Sequence, residues 1–247
     1  MIVVTVPACN ESKNLRKCVE MLLEVTPRLG EDFRIVIAED GSMDGTDIIA
    51  QDLERMHKQV IHFHSPHRLG KGLALKRAFS KVEGNIYAFV DCDLATSIQF
   101  FPQLINLIRE GNDVAFGSRY MDGAEVHRTV LRNIASRFYN GLIRILFRDN
   151  VLDHQIGFKA FSNLVIKDLL DECHSTGWFW DTEILIRSMH NNYKFVEFPV
   201  EWEEKKKGTS DLKMISTVGI QNMIGIIRLR QSICEQKYVH QQSNFQV

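Results

Sequence analysis

The sequence carries almost no net charge: 30 Lys and Arg stand against 31 Asp and Glu, which leaves −1 at neutral pH. With no global basic field, nucleic acid is not an expected partner. Cysteine pairing signals are missing as well. Five cysteines stand far apart, at 9, 18, 92, 173 and 234, with no C-x-x-C pair. That pattern argues for reduced thiols in a cytosolic setting and against a disulfide framework. Cys173 and His174 are adjacent but isolated, and read as ordinary packing residues. No run reaches the roughly 18 apolar residues of a spanning helix. The longest, "MISTVGIQNMIGII", is short and holds Gln221 and Asn222, so membrane contact is expected to be peripheral. The opening "MIVVTVP" reads as a strand rather than a leader. Repeats, low-complexity segments and an internal linker are also absent.

What is present is a 247-residue chain with 45% apolar residues, enough for one full core. A single domain over residues 1–233 is expected, followed by a polar, frayed tail over 234–247. Strand-like and helix-like patterns alternate through the first half. "IVVTV" (2–6), "FRIVIAED" (33–40), "VIHFHS" (60–65) and "IYAFVD" (86–91) read as strands. "SKNLRKCVEMLLEVTPRL", "GTDIIAQDLERMHK" and "KGLALKRAFSKV" read as helices between them; in the first, Leu15, Val19, Leu22 and Leu23 share a face. Short loops between such units predict an α/β fold with a mostly parallel sheet flanked by helices. The nearly continuous apolar strands fit a sheet covered on both faces. Further on, "DVAFGSR" (113–119), a segment around "KAF" and "KFVEFPVEWEE" read as strands, and "DTEILIRSMHNN" as a helix. A last helix over 212–233 is apolar around nearly its whole circumference, so it packs on a partner, which leaves room for a homo-oligomer, or on a membrane.

Ligands of such sheets bind outside the carboxyl ends of the strands, and the polar clusters fall there. "PACNES" follows the first strand, "EDGSMDGT" the second and "DCDLAT" the fourth. In "EDGSMDGT", Gly41 and Gly45 permit a tight turn, while Asp44 or Ser42 can cap the next helix. Glu39 and Asp40 stand at a strand end where a carboxylate can accept bonds from a base or a ribose hydroxyl. Asp91 and Asp93 pose a harder question, because an unpaired buried carboxylate is costly. At i and i+2, both can approach one hard dication, Mg²⁺ or Mn²⁺, if the chain turns at Cys92. A lone D-x-D is a weak signal. His62 and His64 share a strand face, but the sequence places no third ligand beside them, and they read as ordinary strand residues.

The ordered set "PACNE", "EDGSMDGT", "RLGKGLALKRAF", "DCDLAT", "GSR", "DHQIGFKAF", "WFWDTEI" and "PVEWEEKKKGTS" is a strong signal. It resembles the family-2 inverting glycosyltransferases of the Rossmann-like GT-A fold, and among them the polyprenyl-phosphate sugar synthases of the dolichyl-phosphate glucosyltransferase type. The match runs from Pro7 to about Ser210. The resemblance implies that Pro7, Asn10, Glu11, Glu39, Asp40, Lys71, Asp91, Cys92 and Asp93 bind the nucleotide-sugar, with Asp91 and Asp93 at the metal. It implies that Arg119 lies close to the transferred sugar and acceptor phosphate, that Lys159 lies in the segment facing the acceptor, and that Asp181 and Glu183 line the sugar pocket; a phosphate acceptor needs an anchor, for which Arg119, Arg132 or Lys159 is expected. Asp153 would act as base only for a hydroxyl acceptor, since a lipid phosphate is already an anion. Ala95 stands where the mannosyl members place Gln, and Cys9 where they often place an aromatic. These departures favour UDP-glucose over GDP-mannose as donor.

A helix over 128–148 carries Ile134, Ala135, Phe138, Leu142, Ile145 and Leu146 on one side. Arg137, Arg144 and Arg148 gather on the other, with no acidic residue between. A basic amphipathic helix of this kind reads as a membrane-surface element or as core packing, and the resemblance favours the membrane. The expected setting is the cytoplasmic face of a membrane. The lysine-rich loop from "PVEW" to "GTS" is expected to border the site and close over the donor.

Overall fold

The computed structural model describes residues 1–205 and 211–244. Residues 206–210, and with them the expected closure over the donor, lie outside the described residues, as do 245–247. The chain runs β1 (Ile2–Ala8), α1 (Leu15–Val25), β2 (Phe33–Glu39), α2 (Thr46–Met56), β3 (Val60–Phe63), α3 (Lys71–Lys81) and β4 (Ile86–Val90). It continues through α4 (Phe101–Arg109), β5 (Val114–Ser118), β6 (Glu125–His127), α5 (Val130–Phe147), β7 (Phe158–Ser162), α6 (Asn163–Leu169), α7 (Trp180–His190), β8 (Phe195–Pro199), β9 (Glu201–Glu203) and α8 (Asp211–Asn244).

Seven strands form one sheet in the order β3-β2-β1-β4-β7-β5-β8. All pairings are parallel except those of β7, which runs against both β4 and β5. β4 and β5 are buried at every residue, and β1 and β2 at all but one, as expected where helices cover both faces. α1 buries Leu15, Cys18, Val19, Leu22 and Val25, the i, i+3, i+4, i+7 stripe of an amphipathic helix. Beneath the site, Phe79, Tyr87, Phe89, Phe161 and Trp180 form an aromatic cluster with ring centroids 5.4–6.4 Å apart. Losing one such ring to alanine costs about 3–5 kcal/mol.

The reversal of β7 shapes the site. Val90 at the end of β4 pairs with Phe158 at the start of β7. The segment before β7 therefore emerges at the same edge as the carboxyl ends of β1, β2 and β4. Gly157 is brought against Asp91 this way, and Asp153 against Arg119. The stretch expected as one strand over "KFVEFPVEWEE" is two. β8 pairs with β5, and after buried Val200 the chain swings to β9, which pairs with β6. β9 also lies on the loop after β4: Ser97 N–H donates to Glu201 O at 3.0 Å and Glu203 N–H to Ala95 O at 2.8 Å.

α5 and α8 pack together through a second small core of Ile143, Phe147, Phe179, Ile186, Ile226, Leu229 and Ile233. α8 runs on past Cys234 to Asn244. α5 has a further apolar face turned to solvent: Val130, Phe138 and Ile145 are 75–77% exposed, and Leu131 and Ile134 more than half. On α8, Ile220, Met223, Ile224 and Ile227 are exposed likewise. No helix among the described residues is long and apolar enough to cross a membrane.

Candidate active site

A cleft of about 1060 Å³ opens at the carboxyl edge of the sheet. Of the residues singled out in the sequence, Pro7, Glu11, Asp40, Lys71, Asp91, Cys92, Asp93 and Glu183 line it. Its far wall is α8, with Gln221, Ile224 and Arg228.

Two loops are clasped together on the β1–β2 side. Asn10 adopts a left-handed turn (φ 55) and its N–H donates to Ser42 Oγ at 3.0 Å, while Met43 N–H returns to Asn10 Oδ1 at 2.9 Å. Glu11 N–H donates to Thr46 Oγ1 at 2.9 Å and Ser12 N–H to Asp44 Oδ2 at 3.1 Å. Slight burial raises Asp44, but the bonds from Thr46 and Ser12 outweigh it and hold the carboxyl at about 2. Asp40 accepts from the N–H groups of Leu69 and Gly70 at 2.5 and 2.9 Å, so it props the loop leading into α3 as well as lining the cleft. Gly41, at φ 64, sits so close to that loop that a Cβ would lie 2.6 Å from Arg68 N. Glu39 and Asn10 do not line the cleft. Glu39 is buried on the other face of the sheet, where it accepts from Ser42 N–H at 2.6 Å and meets His64 Nδ1 at 2.5 Å. Strand alternation explains the split between Glu39 and Asp40: neighbours on one strand point to opposite faces.

The acid pair is built with care. Asp91 Oδ1 pairs with Lys71 Nζ at 2.8 Å, and the same amine reaches Asp181 Oδ2 at 2.8 Å. Lys71 also lies over the rings of Phe89 and Trp178, 4.9 and 5.0 Å from their centroids. Burial would lower Lys71, but Asp181 and Asp91 prevail and hold it well above the usual lysine range. Asp91 is only partly buried, and a buried protein cation pairs with it. A Cβ at Gly157 would fall 1.8 Å from Asp91 Oδ2, and Asp91 N–H donates to Gly157 O at 2.9 Å. Leu94 turns left-handed (φ 53), and Asp93 Oδ1 accepts from Ala95 N–H at 3.1 Å. The turn directs Asp93 both to the cleft and to a neighbouring hollow beside β6 and β9. Cys92, between the acids, turns its thiol inward to Cys18, and that hydrogen bond together with burial keeps it protonated. All five cysteines are free.

The expected acceptor cations are engaged elsewhere. Arg119 grips Asp153 with two bonds of 2.7 Å, and its own N–H adds a third at 3.1 Å. Burial raises Asp153, but Arg119 outweighs it and holds the carboxyl below its usual range. Asp153 is fully buried, and both of its carboxylate oxygens are engaged by Arg119. Lys159 is fully buried too, donating to Ile156 O; burial, aided by Lys71 and opposed by Asp181, lowers it to about 8. Arg132 pairs with Glu204 at the base of α5. None of Arg119, Arg132, Lys159, Asp153 or Asp181 lines the cleft. Asp181 stands behind Lys71, its carboxyl raised by burial. Glu183 accepts from His174 and Ser175 N–H at 3.1 and 2.8 Å and from Arg187 Nε at 3.1 Å. The lining cations among the described residues are Arg68, Lys71, Arg187 and Arg228. Arg68 and Arg228 are exposed and were not singled out from the sequence. Arg68 stood inside the quoted "RLGKG", whereas nothing local marked Arg228.

A mostly parallel sheet reversed at one strand, with an Asp-x-Asp at the carboxyl end of a central strand, is the layout of the GT-A transferases. The Glycosyl transferase family 2 profile matches residues 3–173, and the chain belongs to that family. Glycosyltransferase AglD of Haloferax volcanii is 39% identical over 85% of this chain, which spans 34% of that protein. Dolichyl-phosphate beta-glucosyltransferase ALG5D of Trichomonas vaginalis is 32% identical over 81% of this chain, which spans 64% of its length. The fold is also that of glucosyl-3-phosphoglycerate synthase from Mycobacterium tuberculosis, crystallised with Mn²⁺, UDP-glucose and phosphoglyceric acid. The TM-score is 0.71 at 19% identity, over 92% of this chain and 79% of the other.

Proposed function

We propose that the chain transfers glucose from UDP-glucose to the phosphate of a polyprenyl or dolichyl phosphate at a membrane surface, with inversion at the anomeric carbon. The observation that carries this reading is the Asp91–Asp93 pair, set in a cleft whose opposite wall, α8, bears exposed apolar side chains. The name of the Trichomonas relative and the UDP-glucose bound by the structural neighbour support it.

The donor set fits a hard dication. Asp93, with the remaining oxygen of Asp91, would hold Mg²⁺ or Mn²⁺, which when bound supplies positive charge for the departing diphosphate. Lys71 neutralises Asp91 and fixes its orientation. Asp40 shapes the wall where a base or ribose would lie by holding the 69–70 backbone. A phosphate acceptor arrives as an anion and needs an anchor rather than a base. Arg68 and Arg228, exposed on the cleft, are the cations suited to that task in place of Arg119, Arg132 and Lys159. The engagement of Asp153 by Arg119 favours a phosphate over a hydroxyl acceptor.

Labelled UDP-glucose and GDP-mannose, each offered with a short polyprenyl phosphate and Mg²⁺ or Mn²⁺, test the reading. Glucosyl-lipid is the expected product. Mannosyl-lipid instead would move the donor assignment, and transfer to a soluble hydroxyl with none to lipid would sink the acceptor. Asp93→Asn is expected to fold normally and lose on the order of a hundredfold or more in turnover.

A further inference from the structure

Away from the cleft, the structure supplies what the sequence left out at His62 and His64. β2 and β3 pair in parallel with Ile37 opposite His62. Glu39, two residues past Ile37, therefore lies on the same face as His62 and His64, two apart on the neighbouring strand. One ligand atom from each of Glu39, His62 and His64 lies within 4.8 Å of the others. His64 Nδ1 already touches Glu39 Oε2 at 2.5 Å. His62 Nε2 is buried and has no hydrogen-bond partner, a costly state for a ring nitrogen unless something fills it. The Glu39 side chain is wholly buried while His64 is 48% exposed, so the group runs from the sheet interior to solvent. Glu54 and Asp47 of α2 add negative potential at His62.

We propose that Glu39, His62 and His64 form a Zn²⁺ site on the β2–β3 edge, separate from the Asp91–Asp93 pair. Two imidazoles and one carboxylate are a zinc donor set that leaves a fourth position for water. Nitrogen donors select a borderline ion such as Zn²⁺ over the hard Mg²⁺, which takes oxygen ligands. Bonds of about 2.0–2.2 Å set tetrahedral ligand atoms roughly 3.3–3.6 Å apart, so the His64–Glu39 contact must open and His62 draw in, which half-exposed His62 and His64 can do by side-chain rotation. A cation here also balances the buried charge of Glu39. The site lies directly behind the cleft wall: Glu39 Oε1 accepts the Ser42 N–H that starts the turn clasped to Asn10, and the next residue, Asp40, props the loop before α3.

Zn²⁺ titration of the full chain by calorimetry, on the parent and on His62→Gln, His64→Gln and Asp93→Asn, tests the assignment. Both histidine variants change side chains that are partly exposed at a sheet edge, so they are expected to fold. The parent and Asp93→Asn are expected to bind one Zn²⁺ that EDTA removes with a fall in melting temperature, and each histidine variant to lose it. Co²⁺ added to the parent gives an independent readout: nitrogen and oxygen ligation produces visible d–d bands without thiolate charge transfer. Zinc binding retained in both histidine variants, binding lost in Asp93→Asn, a thiolate band from Cys9 or Cys234, or no binding by the parent would each overturn the site.

Discussion

Asp91 is held on three sides: by the Lys71 amine, by its own N–H on Gly157 O, and by the bare Cα of Gly157 against its carboxylate. Gly157→Ala puts a methyl where Oδ2 lies, so the carboxylate must swing away from Lys71. Because small misplacements at a reacting centre are expensive, turnover is expected to fall roughly a hundredfold; steady-state kinetics beside a circular dichroism spectrum check it. Asp153 makes the opposite kind of bet. Asp153→Asn leaves Arg119 buried without its charge partner, which is expected to cost about 3–5 kcal/mol in urea unfolding. Lys159 adds a pH signature. Its folded value, about 8, lies below the ordinary 10.5, so the unfolded chain binds the proton more tightly between those values. The burial penalty is full below pH 8 and is lifted as pH rises toward 10.5. Relative to Lys159→Met, parent stability should rise through that window with a slope approaching about 1.4 kcal/mol per pH unit. Urea midpoints from pH 7 to 10 measure it, and parallel curves would contradict the assignment.

At the scale of elements, α5 is read differently in place than in sequence. Leu142, Ile143, Leu146 and Phe147 pack toward α8, while Val130, Leu131, Ile134, Phe138 and Ile145 face out. Arg137, expected on a free basic face, stacks over Tyr120 at 4.8 Å. Arg137, Arg144 and Arg148 are all exposed. For the proposed membrane contact, these exposed apolar side chains add an insertion face to the arginines. Phe138→Glu and Ile145→Glu are expected to weaken binding to anionic vesicles by about tenfold each, while shifting stability by no more than about 0.5 kcal/mol. Sedimentation with vesicles tests this, and salt should remove only the smaller, arginine-borne part, screened beyond roughly 8 Å. Unchanged vesicle binding in both variants would make the exposed face a protein contact.

Across the whole molecule, what was legible depended on whether a signal was local. The parallel strands announce themselves as apolar runs, and the cleft loops as polar clusters at strand ends. α4 carries a readable stripe in Phe101, Leu104, Ile105 and Ile108, while three-residue β6 and β9 carry no periodicity to read. The direction of β7 is invisible in "FKAFS", because an apolar strand reads alike both ways. The pairings of Arg119 with Asp153 and of Lys71 with Asp181 span 34 and 110 residues, so motifs could gather these residues at one edge without saying which were spent on each other. The register of β2 on β3, which brings Glu39 to the two histidines, is likewise set by tertiary pairing.

The reversed strand has a consequence for synthesis. β1 to β4 pair with one another as they emerge, except for the open flank of β4. Among the described residues β5 has no sheet neighbour earlier in the chain: it pairs with β7 and β8. On the ribosome, therefore, the flank of β4 and the whole of β5 stay unsatisfied until residues 158–199 have left the exit tunnel. Both are fully buried apolar segments in the finished protein, the kind of transient edge that aggregates or recruits chaperones. The strand that carries Gly157 to Asp91 is also the keystone laid late, so the nascent chain acquires its stable sheet and its acid site in the same step.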